Sequence, residues 1–349
     1  HRIWAESVAG VTYDFGWNWQ YKSNWEMHGG TFNVPTTAKA AVDGATNACI
    51  LNWAGTPANA SGAKITDVKV DGALTLQNGI RLGCPHGATI QRVYAEDFTD
   101  NGLRISDNTT TSTAVITAIT DIDVLRIYRA TRGASDGVAE AGLWVGHRVT
   151  DPVDRIKIRD TGWQGIATNN KCDDTIFRNL DIDIIYGTVP PGHTVDTGTG
   201  IYVERKTRRC VFERFRIGQD LFFGINGEWN GGTLGNHGSG NCVFQKGRIS
   251  AVRSGNVGGR GIYLDEGSQG NVIADVAFTA GCSWACVGFY KGVNNILGSC
   301  DYSGKAVGSV PYTEAHTSSA NDALSLHTHT ENTAAAYTQN ATTGTASWE

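Results

Sequence analysis

An all-β solenoid is the fold class that this sequence predicts, and three observations carry it. The first is composition: 44 glycines and 7 prolines in 349 residues, with 40% hydrophobic and only 18% charged residues. Glycine stands near twice its usual share of about 7%. The second is a short glycine-led segment that recurs along the chain. The third is an alternation of apolar and polar residues in the segments between, the period of a half-buried strand.

The same numbers exclude other classes. A net charge of −5 with 10 Trp, 11 Tyr and 11 Phe is unlike a disordered chain. No apolar run reaches the roughly 18 residues of a membrane span. The acidic balance, with no block of Lys or Arg, argues against nucleic acid as a partner. Eight Cys are too sparse for a disulfide scaffold. A start at His1 is expected of a processed or excised product.

The repeat comes next. Gly79-Ile-Arg-Leu-Gly, Gly102-Leu-Arg-Ile-Ser, Gly142-Leu-Trp-Val-Gly and Gly165-Ile-Ala-Thr-Asn share one pattern. Gly200-Ile-Tyr-Val-Glu, Gly224-Ile-Asn-Gly-Glu, Gly261-Ile-Tyr-Leu-Asp and Gly288-Phe-Tyr-Lys-Gly continue it. The leading glycines are spaced by 23, 40, 23, 35, 24, 37 and 27 residues, so the longer gaps read as one period plus an insertion. A second strand follows each first one, as in Thr89-Ile-Gln-Arg-Val, Val153-Asp-Arg-Ile-Lys-Ile, Cys210-Val-Phe-Glu-Arg-Phe and Cys242-Val-Phe-Gln-Lys-Gly. A period of this length with strands and no helical pattern is a β-solenoid. A propeller blade needs about 40–45 residues and four strands, and the Leu/Asn consensus of a leucine-rich repeat is absent.

This pattern resembles the right-handed parallel β-helix family of pectate lyases, polygalacturonases, alginate epimerases and bacteriophage tailspikes. The likeness spans residues 60–302 and extends back through Trp25-Glu-Met-His-Gly-Gly-Thr-Phe-Asn-Val. It is architectural, and the right hand is what the resemblance implies. Asn236-His-Gly and Arg155-Ile-Lys are similar to pieces of the polygalacturonase signature, but in reversed order. Asp151-Pro-Val-Asp lacks the His and Glu of the epimerase motif, so no catalytic residue is carried over from either. The expected division is a single-stranded β-helix with its N-terminal cap over 1–312 and an irregular polar tail or cap over 313–349. Trp4, Trp17, Trp19 and Trp25 are expected to cover the open end.

With the leading glycine at position zero, positions 1 and 3 are almost all apolar and face inward. Positions 2 and 4 then face out. Strand spacing of about 4.8 Å places Glu204, Glu228 and Asp265, all at position 4, in a column. Like charges on adjacent strands repel, and crowding raises at least one carboxyl pKa. The outcome is one protonated acid beside one carboxylate, the pair that glycosidic-bond hydrolysis needs. These three are the candidate catalytic residues, with Ca²⁺ binding or a solvated acidic face as the alternatives. Trp144, His147, Tyr202, Asn226, Trp229, Tyr263 and Glu266 are the candidate substrate-binding residues, because sugars stack on outward rings and Asn hydrogen-bonds hydroxyls. Long gaps put loops near 106–118, 187–199, 229–241 and 251–260, which would wall a groove.

The expected function is an endo-glycoside hydrolase acting on a polysaccharide, of the tailspike or secreted depolymerase type, extracellular on a virion surface or in secretion. A polysaccharide lyase or epimerase on a uronate polymer, using Arg81, Arg104 or His147, is the second reading. A glycan-binding adhesin or fibre protein is the third. No cofactor is required, a cation such as Ca²⁺ is the alternative occupant of the column, no metal site is assigned, and a homotrimer is an assembly the tail suits. Cys210 and Cys242 sit at matching places close enough for either a disulfide or stacked thiols; Cys282 and Cys286 form a weaker pair. The sequons Asn59-Ala-Ser and Asn108-Thr-Thr matter only in a eukaryotic secretory route, and His327-Thr-His is expected to be solvated.

Overall fold

A computed structural model of the chain describes residues 17–18, 24–33, 48–52, 62–74, 76–83, 85–105, 114–130, 141–168, 172–184, 193–194, 198–204, 207–218, 223–227, 239–250, 260–264, 268–280, 282, 285–290, 294–304, 310–315, 337–340 and 345–348. Among the described residues every regular element is a strand and none is a helix. The chain forms two compact units: residues 1–175 with 185–196, and residues 176–184 with 197–349.

In the first unit the chain alternates between two stacks of parallel strands. One stack runs Trp17–Asn18, Ala48–Asn52, Asn78–Leu82, Asn101–Ile105, Ala141–Val145 and Gln164–Thr168. The other runs Glu26–His28, Lys64–Asp71, Thr89–Phe98, Ala118–Ile127 and Val153–Thr161, with Thr31–Asn33 also on Lys64–Asp71. The early segment at Trp25 is thus part of the stack, as its pattern predicts. Registers follow the glycine alignment: Ile80, Leu103, Leu143 and Ile166 are successive partners, and each is 0% exposed. Such rows each contribute about 1.5–3 kcal/mol per side chain by burial.

The recurrent glycines have a packing cause. A Cβ on Gly102 would lie 2.6 Å from Val124 Cγ1 of the other stack and 2.7 Å from the Gly142 carbonyl. A Cβ on Gly142 would lie 2.6 Å from Ile158 and 3.0 Å from the Gly165 carbonyl. The two stacks close on each other at Gly102 and Gly142, and a side chain at either would fit only if its neighbours shifted.

The second-stack strands do not alternate all along their length. Thr89–Phe98 buries Ile90, Val93, Ala95 and Phe98, with two consecutive outward residues at Gln91-Arg92. Arg92 has φ 52°, and its in-register counterparts Asp67, Asp121 and Arg155 have φ 60°, 57° and 55°. A left-handed residue at this position turns each strand and shifts its phase, as in a bulge. These positions alternate acid and base. Arg92 donates two hydrogen bonds to Asp67 at 2.6 and 2.7 Å, and Arg155 two to Asp121 at 2.5 and 2.8 Å. Arg126 repeats the pattern on Asp97. Its neighbour Glu96, buried at 9% exposure, accepts from Lys69 at 2.8 Å, from Tyr94 at 2.8 Å and from Arg126 at 3.2 Å.

The second unit has the same plan. One stack runs Thr199–Val203, Phe223–Gly227, Arg260–Leu264, Ala285–Tyr290 and Val310–Ala315. The other runs Ile176–Asp183, Val211–Gly218, Val243–Ser250 and Val272–Ala280, which pairs with both Ile296–Leu297 and Cys300–Asp301. Its interior carries the expected ladders of like side chains. Phe177, Phe212 and Phe244 stack at 4.8 and 5.2 Å between centroids. Asn271 and Asn295, both fully buried, bond at 2.9 Å, and Asn271 Oδ1 accepts from the Cys242 N–H.

Two features differ from the sequence expectation, and one alternative it left open is decided. Tyr263 pairs with Gly288 and Leu264 with Phe289, so position zero on that strand is Cys286 rather than Gly288. The glycine there occupies position 2, and Phe289 faces inward from position 3. Beyond residue 313 the chain is not wholly irregular: Thr345–Trp348 pairs antiparallel with both Val310–Ala315 and Tyr337–Asn340. Backbone pairing needs no large apolar side chains, which is why composition hid these strands. Cys210 and Cys242 are buried thiols just before neighbouring strands, and their Sγ atoms donate to backbone carbonyls at 3.6–3.7 Å. Cys282 and Cys286 are buried as well.

Candidate functional site

The second unit brings one group of the sequence candidates together. Tyr202 pairs in register with Asn226, and Asn226 with Tyr263. Their inward neighbours Ile201, Ile225 and Ile262 are fully buried, which turns the three candidates to the outer face. All three are half-exposed. Two strand spacings put the tyrosines about 9.6 Å apart along the stack, with Asn226 between them. Asn226 Oδ1 is buried and accepts no hydrogen bond among the described residues.

Val203, Gly227 and Leu264 form the next in-register row. Glu204, Glu228 and Asp265 each follow one member of that row in sequence. Glu204 is half-exposed, and its carbonyl accepts from the Thr207 N–H at 3.3 Å. Glu228, Asp265, Trp229 and Glu266 lie outside the described residues. So do most positions of the predicted wall loops, both sequons, His1 and His327.

Trp144 and His147 belong to the first unit and are not on open surface. They are 5% and 1% exposed. The position-2 row there, Arg81, Arg104, Trp144 and Ala167, is buried throughout. The Arg104 guanidinium lies 4.5 Å from the Trp144 ring centroid. Burial, joined by the charge of Arg104 and opposed by Asp100, lowers the Arg81 pKa to about 10. The alternation predicts this row to face outward, but it carries no information about whether other chain covers it.

Two residues of the half-exposed face escape the position-2 and position-4 reading. Phe223 and Arg260 precede the leading glycines Gly224 and Gly261, and they pair in register. The signal was available at that position. Asn78, Asn101, Ala141, Gln164 and Thr199 stand there on other strands, all buried, whereas Phe223 and Arg260 are bulkier and half-exposed.

Among the described residues no group of three or more His, Cys, Asp or Glu is placed to hold a metal ion. No helix among them is long and apolar enough to cross a membrane. What the fold defines is an all-β chain built of long stacks of parallel strands. No family model, curated protein or solved structure matches it.

Proposed function

We propose that each unit is built as a right-handed parallel β-helix and that the chain is an endo-glycoside hydrolase acting on a polysaccharide outside the cell. The observation that supports this most is the in-register, half-exposed row Tyr202–Asn226–Tyr263. Two half-exposed aromatic side chains flanking an amide suit neighbouring sugar units of one polymer. Sugars combine apolar ring faces, which rings accept, with hydroxyls, which amides bond.

The carboxylates Glu204, Glu228 and Asp265 would supply the chemistry. Each follows a residue of one in-register row. The crowding of like charges favours sharing a proton, so one group donates it to the leaving oxygen. A second carboxylate activates water, and the wider pairing of Glu204 with Asp265 suits an inverting separation of about 6.5–9.5 Å.

The test incubates the chain with neutral and acidic polysaccharides and follows new reducing ends together with the ultraviolet absorbance of unsaturated sugars. Reducing ends alone are expected, and Glu228→Gln should abolish them with the fold retained. Unsaturated products would replace hydrolysis by β-elimination. A fully active Glu228→Gln variant would remove that residue from the mechanism.

A further inference from the structure

The strands Val211–Gly218 and Val243–Ser250 carry a group of cations on the other stack of the second unit. Arg214 and Lys246 each have φ 54°. This left-handed residue gives each strand two consecutive outward side chains, Glu213-Arg214 and Gln245-Lys246. Phe215 and Gly247 then turn inward and are buried, and Arg216 and Arg248 emerge again. Glu213 pairs in register with Gln245, and Arg216 with Arg248, so Arg214 stands beside Lys246 between those pairs. The result is a block of two cations on each of two strands about 4.8 Å apart. All four are exposed.

Like charges facing each other on neighbouring strands are destabilising, and the first unit avoids them. Its left-handed row of Asp67, Arg92, Asp121 and Arg155 alternates in sign, and each arginine holds an aspartate. In the second unit Arg216 is held in the same manner, donating to Asp181 at 2.5 Å and to Asp183 at 3.0 and 2.6 Å. Arg214, Lys246 and Arg248 make no hydrogen bond or ion pair among the described residues. Glu213 accepts from Gln245 at 3.2 Å. Asp275, exposed at the left-handed position of the next strand, makes no ion pair with Lys246. Three exposed cations thus stand within one or two strand spacings of each other, at a cost that folding does not explain.

We propose that Arg214, Lys246 and Arg248 form a second binding surface, whose ligand is an acidic polysaccharide. Carboxylates or sulfates repeated along such a polymer can meet two or three of these cations at once, and the arginine forks match their paired oxygens. The aromatic residues of these two strands, Phe212, Phe215 and Phe244, are all buried. The surface therefore has no platform on which the bases of a single-stranded nucleic acid could stack, which favours the sugar polymer. It shares no strand with Tyr202, Asn226 and Tyr263, so it stands or falls apart from the hydrolase reading.

The experiment measures retention of the full chain by immobilised polymers. Polygalacturonate is set against its carboxyl-reduced form, dextran sulfate against dextran, and single-stranded DNA is the third arm. The acidic member of at least one sugar pair should be retained and its neutral partner not, and added salt should release it. Which pair responds names carboxylate or sulfate as the group. Lys246→Gln with Arg248→Gln should weaken retention about fivefold or more, the scale of two exposed ion pairs. Arg148→Gln with Lys157→Gln removes the same charge from exposed positions on other strands and should leave retention unchanged. The unfolding midpoint of the first double variant should be unchanged or higher, because it relieves repulsion; a marked fall would make the cations structural and overturn the inference. Arg214→Gln, on the neighbouring strand, gives a second reading of the same loss. Equal retention of neutral polymers, equal loss in both double variants, or tighter retention by DNA than by either acidic polysaccharide overturns the proposal. So does retention by no polymer, and each of these leaves the hydrolase reading to its own assay of reducing ends.

Discussion

Replacing Gly102 by Ala tests why the glycines recur. The new Cβ would stand 2.6 Å from Val124 Cγ1, 3.1 Å from Val124 Cγ2 and 2.7 Å from the Gly142 carbonyl. Carbon contacts relax at about 3.5–4.0 Å, so each neighbour would have to move by about 1 Å. One neighbour is a stiff β-branched side chain and the other is backbone in a hydrogen-bonded ladder. Overpacking of this kind costs about 1–3 kcal/mol, and two simultaneous contacts place Gly102→Ala toward the upper end. Gly240 is the control. Its Cβ would meet only ordinary contacts, at 3.6 Å from Arg208 Cγ and 3.8 Å from the Gln269 carbonyl. Gly240→Ala should therefore be neutral or gain about 0.4–1 kcal/mol through the unfolded chain. Guanidinium unfolding followed by tryptophan fluorescence gives the midpoints of both variants. Adding Val124→Ala to Gly102→Ala should cost about 1 kcal/mol less than the sum of the single changes, since it removes one of the two contacts. Equal midpoints for Gly102→Ala and Gly240→Ala would refute the close approach of the stacks as the cause of the repeat.

Two further outcomes follow from the same packing. Glu96 is pulled in opposite directions: burial alone would raise its pKa, but hydrogen bonds from Lys69 and Tyr94 and the charges of Lys69 and Arg126 outweigh it and lower it. A folded pKa below the unfolded one, which is about 4.3, contributes stability above that pH and loses it as pH falls through the folded value. Thermal midpoints between pH 6 and 3 should fall less steeply for Glu96→Gln than for the unmodified chain, and Glu96→Gln should itself cost about 1–3 kcal/mol at neutral pH; parallel curves would count against the pairing. Phe212→Ala should cost about 3–5 kcal/mol, because it removes the middle ring between Phe177 and Phe244. A loss below 1 kcal/mol by chemical unfolding would mean the ladder is not well packed.

Much of the fold was legible because burial leaves a period in the sequence. The rows at positions 1 and 3, the alignment of Tyr202 with Asn226 and Tyr263, and the second strand of each repeat all follow from which residues cannot face water. Where that signal was weak the reading slipped. At Gly288 a glycine invited the wrong register by two residues, while Cys286 is the residue that stands opposite Gly261. The left-handed turns at Arg92 and Arg155 gave no warning either, because arginine is not a residue that advertises positive φ.

The candidate site divides in the same way. Sequence alone determined that this is a strand-built chain with a glycine-led repeat, and which side chains turn away from its interior. That follows from local alternation, which needs no knowledge of neighbours. Only tertiary structure decided that Trp144 and His147 are covered while Tyr202, Asn226 and Tyr263 stay half-open, and that Arg260 lies across Tyr263. Exposure and ring contacts depend on chain segments distant in sequence, and on how far a long side chain folds back along its own strand. The physical reason is one of range: the direction of a side chain is a property of its own strand, whereas what it meets there belongs to the rest of the molecule.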